Sequence, residues 1–479
     1  MGGDVADSTV EGAADALEPE TSGDADGDAD VSTMDGADSA CAADADVEAP
    51  VSTTCGDGIR DLTGLEECDL ASPSPRGVCQ ACRAVDLLAL PAPAMVDAGL
   101  PLGKRSLGLG RHTVATNPTG GLAIVLGEDK PWRWLLTRFD GKGVASDVTT
   151  SFAADAAPLL AADPVVALAD SGWAVGWVDS AIDGDGPGIA ARLVGPSGLG
   201  PIVRVNVTTA YTQTGVDVVR AGSSLVFAWT DRSSTARGSD VKARLFSAST
   251  LSPLGGELEL GATLDDEADV ALAPFGTSWM ATWRAGAPSG ASETVVAKVD
   301  GKTFYAGPQL AGPEAAKPAI AELDATHAVV AYLVGSGTGT YEARVALLDT
   351  GSAGTVTGVT VVTKAREVNL VRAGGKVWLT WRADAAVGDA NGEELWLKEL
   401  ALGTSGLDVS KAAIPLPRLG EHRVGDQRQV SLAGWGPTGL LATWEDFGGG
   451  LAKTATHPDV VVEFLDVPIL RLGGSDGGT

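Results

Sequence analysis

Three carboxylates near the starts of apolar segments have the residue type and spacing that catalysis would need. Asp217 and Asp269 open two such segments, at places that Asn369 takes in a third, and Glu322 lies later in a fourth. A glycosidase uses two carboxyl groups, one as acid and the other as base or nucleophile. Asp and Asn also begin strands because their side chains accept local backbone amides. We favour this second role and keep Asp217, Asp269 and Glu322 as catalytic candidates.

Other catalytic chemistry finds little support. None of the four histidines, His112, His327, His422 and His457, has a second histidine at the spacing of metal ligands. No cysteine follows position 82, so the rest of the chain has no thiol nucleophile. The G-x-S-x-G letters at 473–477 lack the preceding strand and following helix of a nucleophile elbow. We therefore expect no catalytic cofactor.

One acidic loop is a candidate for calcium. Asp179, Asp183 and Asp185 lie in the segment Asp-Ser-Ala-Ile-Asp-Gly-Asp-Gly that ends at Gly186. Carboxylate oxygens are ligands that calcium takes in flexible loops. The spacing completes no known calcium-loop pattern, and a plain polar turn explains it as well.

The five cysteines are confined to residues 41–82. Four of them follow the spacing Cys55-x12-Cys68-x10-Cys79-x2-Cys82, with only one C-x2-C pair and no nearby histidine, which disfavours a zinc ribbon. A stretch of roughly 30 residues cannot build its own core, so a small disulfide module fits better. Three pairings of four cysteines are open, and Cys41 is left as a free thiol or an intermolecular link.

The same segment resembles a known repeat. Cys55-Gly-Asp-Gly58, Glu66-Glu-Cys-Asp69 and Cys79-Gln-Ala-Cys82 are similar to the cysteine-rich repeat of myxobacterial surface and secreted proteins. The chain departs from that repeat after Asp69, where residues 70–76 replace its Asp-Gly-Asn. The resemblance implies export and disulfide bonds. Met1 begins no signal peptide, so an export signal, or a cysteine carrying a lipid anchor, would lie upstream of Met1.

The charge is concentrated at the N-terminus. The 479 residues include 34 basic and 63 acidic side chains, for a net charge of −29, and residues 1–50 hold fifteen acids with no Lys or Arg. Such a segment has too little apolar surface to fold, which predicts a disordered, extended tether. No basic cluster offers a surface to nucleic acid. The sequence contains no run of 18 uninterrupted apolar residues, so it predicts no membrane-spanning helix.

Behind the cysteines the sequence repeats itself about every 50 residues. Short apolar segments end in an aromatic marker, and successive markers, counted from an earlier copy at Leu126, are 49 to 63 residues apart. Each copy continues with further Val-rich segments broken by Gly, Asp and Pro, typical of four short strands. The markers are Trp177, Trp229, Trp283, Tyr332, Trp381 and Trp444.

Repeats of four strands predict an all-β fold, a seven-bladed β-propeller over residues 104–470. It follows a disordered acidic tail at 1–50 and a cysteine-rich module at 51–90. Neighbouring blades would bury the markers between them, which makes the markers structural. Val460–Phe464 and Leu87–Leu90 compete to supply the strand that closes the ring.

Acids after the marker and basic residues on the next strand recur among the copies. We expect intrablade ion pairs, Asp179 with Arg192 and Asp231 with Arg244, although a ring of binding charges is the alternative. Trp229-Thr-Asp-Arg232 and Asp240-Val-Lys-Ala-Arg244 resemble the W-x-D-x-R … D-x-x-A-R repeat of bacterial secreted propellers. This resemblance again implies an exported protein.

Taken together, the sequence favours an exported, monomeric protein at the cell surface or outside the cell. One propeller face would bind a protein or glycan without catalysis. A carbohydrate-active hydrolase or lyase with acids in the central channel is the first alternative, and a purely structural surface protein is the second.

Overall fold

A computed structural model gives the fold. The chain divides into two units, residues 1–51 and 52–479, and every described residue belongs to the second. The structure describes residues 78–80, 83–85, 112–127, 133–140, 150–153, 164–234, 238–261, 266–286, 293–309, 318–335, 341–384, 393–404, 406–416, 427–435, 439–446 and 459–466.

All elements of the described residues are β-strands. The first two, β1 (Val78–Gln80) and β2 (Arg83–Val85), form an antiparallel hairpin with Cys79 opposite Ala84. Cys79 is the one predicted disulfide cysteine within a described strand; Cys55, Cys68 and Cys82 lie outside the described residues, as do the predicted tail and Leu87–Leu90. No helix in the described part of the chain is long and apolar enough to cross a membrane.

Three antiparallel sheets follow along the chain, and in each the main strands lie side by side in the order of the sequence. Sheet 1 contains β3 (His112–Asn117), β4 (Gly120–Gly127), β5 (Arg133–Asp140) and β6 (Thr150–Ala153). Sheet 2 contains β7 (Val165–Ala169), β8 (Gly172–Asp179) and β9 (Gly188–Gly195), edged by β10 (Gly198–Leu199) and β11 (Val203–Arg204). Sheet 3 contains β12 (Gln213–Ala221), β13 (Ser224–Ser234), β14 (Gly238–Ser247) and β15 (Leu258–Gly261).

Three more sheets complete the described chain. Sheet 4 contains β16 (Asp266–Phe275), β17 (Ser278–Gly286), β18 (Glu293–Val299), β19 (Lys302–Gln309) and, parallel to β19, β23 (Gly354–Val356). Sheet 5 has eight strands. Seven lie in order on its main path, with β28 (Ile414–Leu416) beside β26: β20 (Ala319–Glu322), β21 (His327–Gly335), β22 (Tyr341–Asp349), β24 (Val359–Ala373), β25 (Lys376–Asp384), β26 (Glu393–Gly403) and β27 (Gly406–Asp408). Sheet 6 contains β29 (Gln427–Trp435), β30 (Gly439–Asp446) and β31 (Asp459–Asp466).

The sheets are arranged as a β-propeller, with four blades delimited among the described residues. The first strands of successive sheets contact one another, as β12 contacts both β7 and β16; between sheets 5 and 6 the contact runs from β20 through β24 to β29. Tight hairpins join the first two strands. At 374–375 both glycines have positive φ, 60° and 70°, as a type I′ turn requires.

Strand β24 serves both halves of sheet 5. Residues 359–363 pair with β22, Ala365 pairs with both β22 and β25, and the later residues pair with β25 alone; Lys364 has a φ of 66°. A bulge of this kind turns the strand, so that it ends one group of four strands and begins the next. The last strand, β31, which contains Val460–Phe464, pairs with β30 as the third strand of its sheet.

The core lies between neighbouring sheets, where the six aromatic markers are at most 4% exposed. Trp177 packs with Leu122 and Trp134 of sheet 1, and Trp229 packs with Val178 of sheet 2. Each of the other markers likewise falls in a cluster with residues of the preceding strands: Trp283, Tyr332, Trp381 and Trp444. The recurring large residue thus fills the space that two adjacent sheets leave between them.

Candidate functional site

The innermost strands enclose a cavity of about 490 Å³. Its wall takes residues from the first strand of every sheet and from β24, the strand shared by the halves of sheet 5. Apolar residues such as Val166, Leu272 and Ile320 alternate with polar ones. The polar side chains that line it are His112, Thr113, Asp217, Glu367, Asn369 and Ser431.

Asp217 lies directly after a bulge between Thr214 and Asp217 in β12. Its Oδ1 accepts the amide of Val218 at 2.8 Å, and its Oδ2 accepts the amide of Leu272 at 2.7 Å. Leu272 belongs to β16 of the next sheet. The carboxylate therefore holds two innermost strands together, which the hydrogen bonds of each separate sheet do not do.

Asn369 takes the same position in β24. Both Asp217 and Asn369 pair with the residue just before a marker, Ala228 and Thr380 respectively. Asn369 Oδ1 accepts the amide of Leu370 at 2.8 Å, and its Nδ2 donates to the carbonyl of Val430 in β29 at 3.4 Å. The amide thus repeats the tie that Asp217 makes.

Glu367, two residues earlier, adds to the same junction. Its Oε1 accepts the amide of Val430 at 3.1 Å, and its Oε2 lies 3.5 Å from Nε of Arg382. The innermost strands β24 and β29 are therefore joined by two side chains, and the second carries an ion pair to β25.

Hydroxyl groups join sheet 6 to sheet 1. The amide of Val114 donates to Ser431 Oγ at 3.3 Å, and Thr113 Oγ1 lies 3.4 Å from the same oxygen. His112, only 5% exposed, places its Nδ1 2.9 Å from Thr443 Oγ1 of β30. These contacts connect the first described sheet of the repeat to the last.

The polar side chains of this cavity therefore form hydrogen bonds that join neighbouring strands. A general acid must present a proton to the leaving group, and a nucleophile must approach the reacting carbon. Both oxygens of Asp217 instead accept main-chain amides, and one oxygen of Glu367 accepts an amide while the other faces a guanidinium.

The structure separates the three catalytic candidates. Asp269 does not share the position of Asp217. The bulge of β12 recurs in β16 between Ala268 and Ala271, and Asp269 lies inside it, as Gly215 does in β12. The backbone of Asp269 has a φ of 59°, and its carboxylate pairs with the guanidinium of Arg284. Ala271, opposite Thr282, takes the place of Asp217 in this sheet.

Glu322 lies at the opposite end of its innermost strand, beside the hairpin. Its Oε2 is 2.7 Å from Nη1 of Arg372 in β24 and accepts the amide of Gly276 at 3.4 Å. Asp170 and Arg220 form a similar pair between β12 and the hairpin after β7, at 2.6 Å. Ion pairs of this kind join neighbouring innermost strands or their hairpins at the hairpin end.

The three calcium candidates are engaged in the loop before β9. Asp179 accepts Nε1 of Trp177 and the amide of Ala181, at 3.1 and 3.0 Å. Asp183 accepts the amide of Asp185 and Nδ2 of Asn206, at 3.3 and 3.1 Å. Within the described residues no group of three His, Cys, Asp or Glu side chains is placed to hold a metal ion.

Asp231 pairs with Lys242 and not with the predicted Arg244, which lies two residues later on the same strand. Asp231 lies opposite Asp240 and reaches Lys242 at 2.5 Å, whereas Arg244 lies opposite Phe227, two positions farther along the ladder. Burial lowers the pKa of Lys242, but the carboxylates of Asp231, Glu257 and Asp240 outweigh it and raise that pKa above its usual value.

The recurring arginines instead bind carbonyl groups. Arg244 donates to the carbonyls of Val205 and Gly255, at 2.8 and 3.0 Å, and its guanidinium lies 5.3 Å from the Phe246 ring centre. Arg192 donates from Nε to the carbonyl of Gly200 at 3.1 Å, and burial lowers its pKa. The expected pair of Asp179 with Arg192 is replaced by these contacts.

Sequence reasoning missed several residues of the cavity. The sequence already places Asn369 beside Asp217 in the repeat, and Glu367, two residues before Asn369, could have been found from that spacing. Ser431, Thr113 and His112 carry none, because their contacts join segments more than 300 residues apart.

Comparison with known proteins gives no family. No protein-family profile matches the chain, and no curated protein matches it. Among solved structures, a protein of unknown function from Dyadobacter fermentans is 12% identical over 64% of this chain and 95% of its own, with a TM-score of 0.41.

Two further solved structures are similarly distant. The β-propeller domain of the Trilobed protease from Pyrococcus furiosus is 8% identical, over 75% of this chain and 94% of its own, with a TM-score of 0.40. The Trypanosoma rangeli sialidase is 10% identical, over 70% of this chain and 57% of its own, with a TM-score of 0.39. No activity follows from likenesses this low.

Proposed function

We propose that this chain is a non-catalytic binding protein built on a propeller, exported to the cell surface or beyond, with a protein or glycan as its partner. The observation that carries the proposal is the use of the cavity's acids. Asp217 and Glu367 bond to main-chain amides of neighbouring strands, and Glu367 also faces Arg382. Because these carboxylates are bonded to the scaffold, they support a structural role for the cavity and a binding role for the protein.

A seven-bladed ring is the finer part of the proposal. The two halves of sheet 5 count as separate blades because β24 changes partners at Lys364. Supporting closure, β29 contacts both β24 and β3. A Cβ on Gly121 of β4 would come within 2.9 Å of the Trp435 ring, so these two sheets pack closely.

Export rests on the sequence. The resemblance of residues 55–82 to a repeat of secreted proteins supports it, as does the confinement of all cysteines to that region. A lipid anchor upstream of Met1 and a disulfide-bonded module belong to the same proposal.

The test combines turnover, stability and binding in the full-length chain. Asp217→Ala and Glu367→Gln are measured beside the wild type on a panel of glycosidase and polysaccharide-lyase substrates. We expect no turnover from any of them, lower melting temperatures for both variants, and wild-type binding on a glycan array or in a pull-down. Turnover that Asp217→Ala abolishes while the melting curve stays unchanged would favour the carbohydrate-active enzyme. An array and a pull-down that both come back empty would favour a purely structural protein.

A further inference from the structure

Tyr211 is an exposed aromatic side chain in a strained backbone. It is 55% exposed, and its φ is 58° although it is not a glycine. Left-handed backbone is unfavourable for a bulky residue, and it persists only where the surroundings enforce it. Gly186 contributes to this, since a Cβ there would lie 2.6 Å from the Tyr211 carbonyl oxygen. The amide of Tyr211 donates to Asp185 Oδ2 at 3.4 Å.

The segment 206–212, here called the Tyr211 loop, is fixed at its base by two buried amide side chains. Asn206, 1% exposed, accepts the amide of Ile189 at 2.8 Å and donates to the Thr208 carbonyl at 2.7 Å. Gln213, fully buried, donates to the Ala210 carbonyl at 2.9 Å and accepts from Asn206 at 3.1 Å. Buried amides with several partners leave this loop little freedom.

A carboxylate from the neighbouring edge holds the other side of the Tyr211 loop. Glu257 accepts the amides of Val207 and Thr208, at 2.5 and 3.1 Å, and the Thr208 hydroxyl at 2.9 Å. A loop ordered before binding loses little conformational entropy when a ligand arrives. The backbone that carries the exposed phenol ring is thus held by contacts that do not involve the ring itself.

The side chains near Tyr211 along the chain are mainly polar and acidic, with one exposed apolar residue, Val207, in the Tyr211 loop itself. Asp183 and Asp185 lie on the adjoining loop, and the residues from 208 to 212 include three threonines. A sugar ring has an apolar C–H face that packs on an aromatic ring and a rim of hydroxyls that donate to carboxylates. The carboxylates of Asp183 and Asp185 would repel anionic sugars, which favours a neutral one.

We propose that the Tyr211 loop is a binding site for a neutral glycan, with Tyr211 stacking on a sugar face and Asp185 accepting sugar hydroxyls. This inference rests on the proposed binding function and names its surface and ligand class. The site is on the loops of sheets 2 and 3, so it is separate from the cavity tied by Asp217.

The test uses the full-length chain on an array of immobilised neutral and sialylated oligosaccharides, followed by calorimetry with the neutral oligosaccharide that binds best. Tyr211→Ala and Tyr211→Gly are expected to weaken binding at least roughly tenfold. Glycine suits a φ of 58°, so the melting temperature of Tyr211→Gly should equal or exceed that of the wild type. Tyr305→Ala is the matched control, because Tyr305 is 47% exposed on β19 of another sheet; it should bind as the wild type does.

Four results would overturn the inference. If Tyr211→Gly bound the oligosaccharide with wild-type affinity, the ring would have no role in binding, while the proposed binding function would be unaffected. Binding confined to sialylated sugars would contradict the neutral class. An empty array beside a pull-down that depends on Tyr211 would make the partner a protein. An empty array and an empty pull-down with the wild type would remove the proposed function itself.

Discussion

At the scale of single residues, polar side chains of the cavity join strands of different sheets, and others fit closely within one sheet. Tyr332 shows how closely such residues fit. It is a blade marker, 1% exposed, and the amide of Gly358 bonds to its hydroxyl, while burial raises the pKa of that hydroxyl. A Cβ on Gly358 would lie 2.1 Å from the hydroxyl oxygen.

Gly358→Ala is therefore expected to lower the free energy of unfolding by about 1–3 kcal/mol, since the buried ring has nowhere to move. Gly255→Ala is the control, because a Cβ there meets nothing within 4 Å. Urea denaturation of both variants measures the difference. Equal stability of the two would show that the Tyr332 ring yields easily.

The hairpin of β20 and β21 contains a pH-sensitive carboxylate. Burial has the largest single effect on Asp324 and raises its pKa. The amides of Thr326 and His327, the Thr326 hydroxyl and the His327 ring together outweigh it and lower that pKa to about 2. The His327 ring nitrogen Nδ1 lies 2.9 Å from Asp324 Oδ1.

A lowered pKa means that the folded state favours the charged form. The contribution of Asp324 is then fully present above roughly pH 4, the usual pKa of an aspartate, and is lost as the pH falls towards about 2. Asp324→Asn should therefore melt below the wild type at pH 6, with the gap closing by pH 2. A gap that stays constant over this range would contradict the assigned pKa.

The sequence predicted the repeat and its aromatic markers because both depend on the local alternation of apolar and polar residues. It did not predict the position of Asp269, because Asp269 lies inside the bulge between Ala268 and Ala271, whereas Asp217 follows the equivalent bulge, and a bulge has no strong sequence signature. The predicted partner of Asp231 was wrong for a related reason, because the pairing register of β13 and β14 decides which basic residue lies nearest to it. The Tyr211 loop depends on Glu257, about 50 residues away, which no local pattern shows.

At the scale of elements, sheet 3 contains a buried ion pair between adjacent strands. Asp231 on β13 is 1% exposed, and Lys242 on β14 reaches it at 2.5 Å, with Glu257 3.7 Å from the same ammonium group. Removal of one partner leaves the other charge buried without compensation.

Lys242→Met should accordingly destabilise the fold by about 3–5 kcal/mol. Arg220→Met is the matched control. It breaks the exposed pair with Asp170, where side chains are 32% and 40% exposed, and should cost less than about 1 kcal/mol. Guanidinium denaturation compares them, and similar losses in both variants would mean that burial of Asp231 carries no penalty.

At the scale of the whole molecule, the proposed ring closes between sheets 1 and 6. His112, Thr113 and Val114 on β3 bond to Thr443 and Ser431 of sheet 6. In an open array each sheet depends only on its neighbours, whereas in a closed ring the loss of one sheet uncovers two others.

Deletion of residues 427–466 is expected to abolish cooperative unfolding, because it uncovers the faces of β3 and β24 together. Differential scanning calorimetry of the truncated chain measures this. A single sharp transition near the wild-type temperature would indicate an open array and would exclude closure by sheet 6.

The central claim is that the acids of the cavity tie neighbouring blades together. Hydrogen exchange at the Leu272 amide tests it directly, because that amide donates to Asp217 across the junction between two sheets. We expect slow exchange in the wild type and in Asp269→Ala, and exchange at least roughly tenfold faster in Asp217→Ala, as a lost hydrogen bond of this strength implies. Equal exchange of Leu272 in all three proteins would contradict the claim and return Asp217 to the candidates for catalysis.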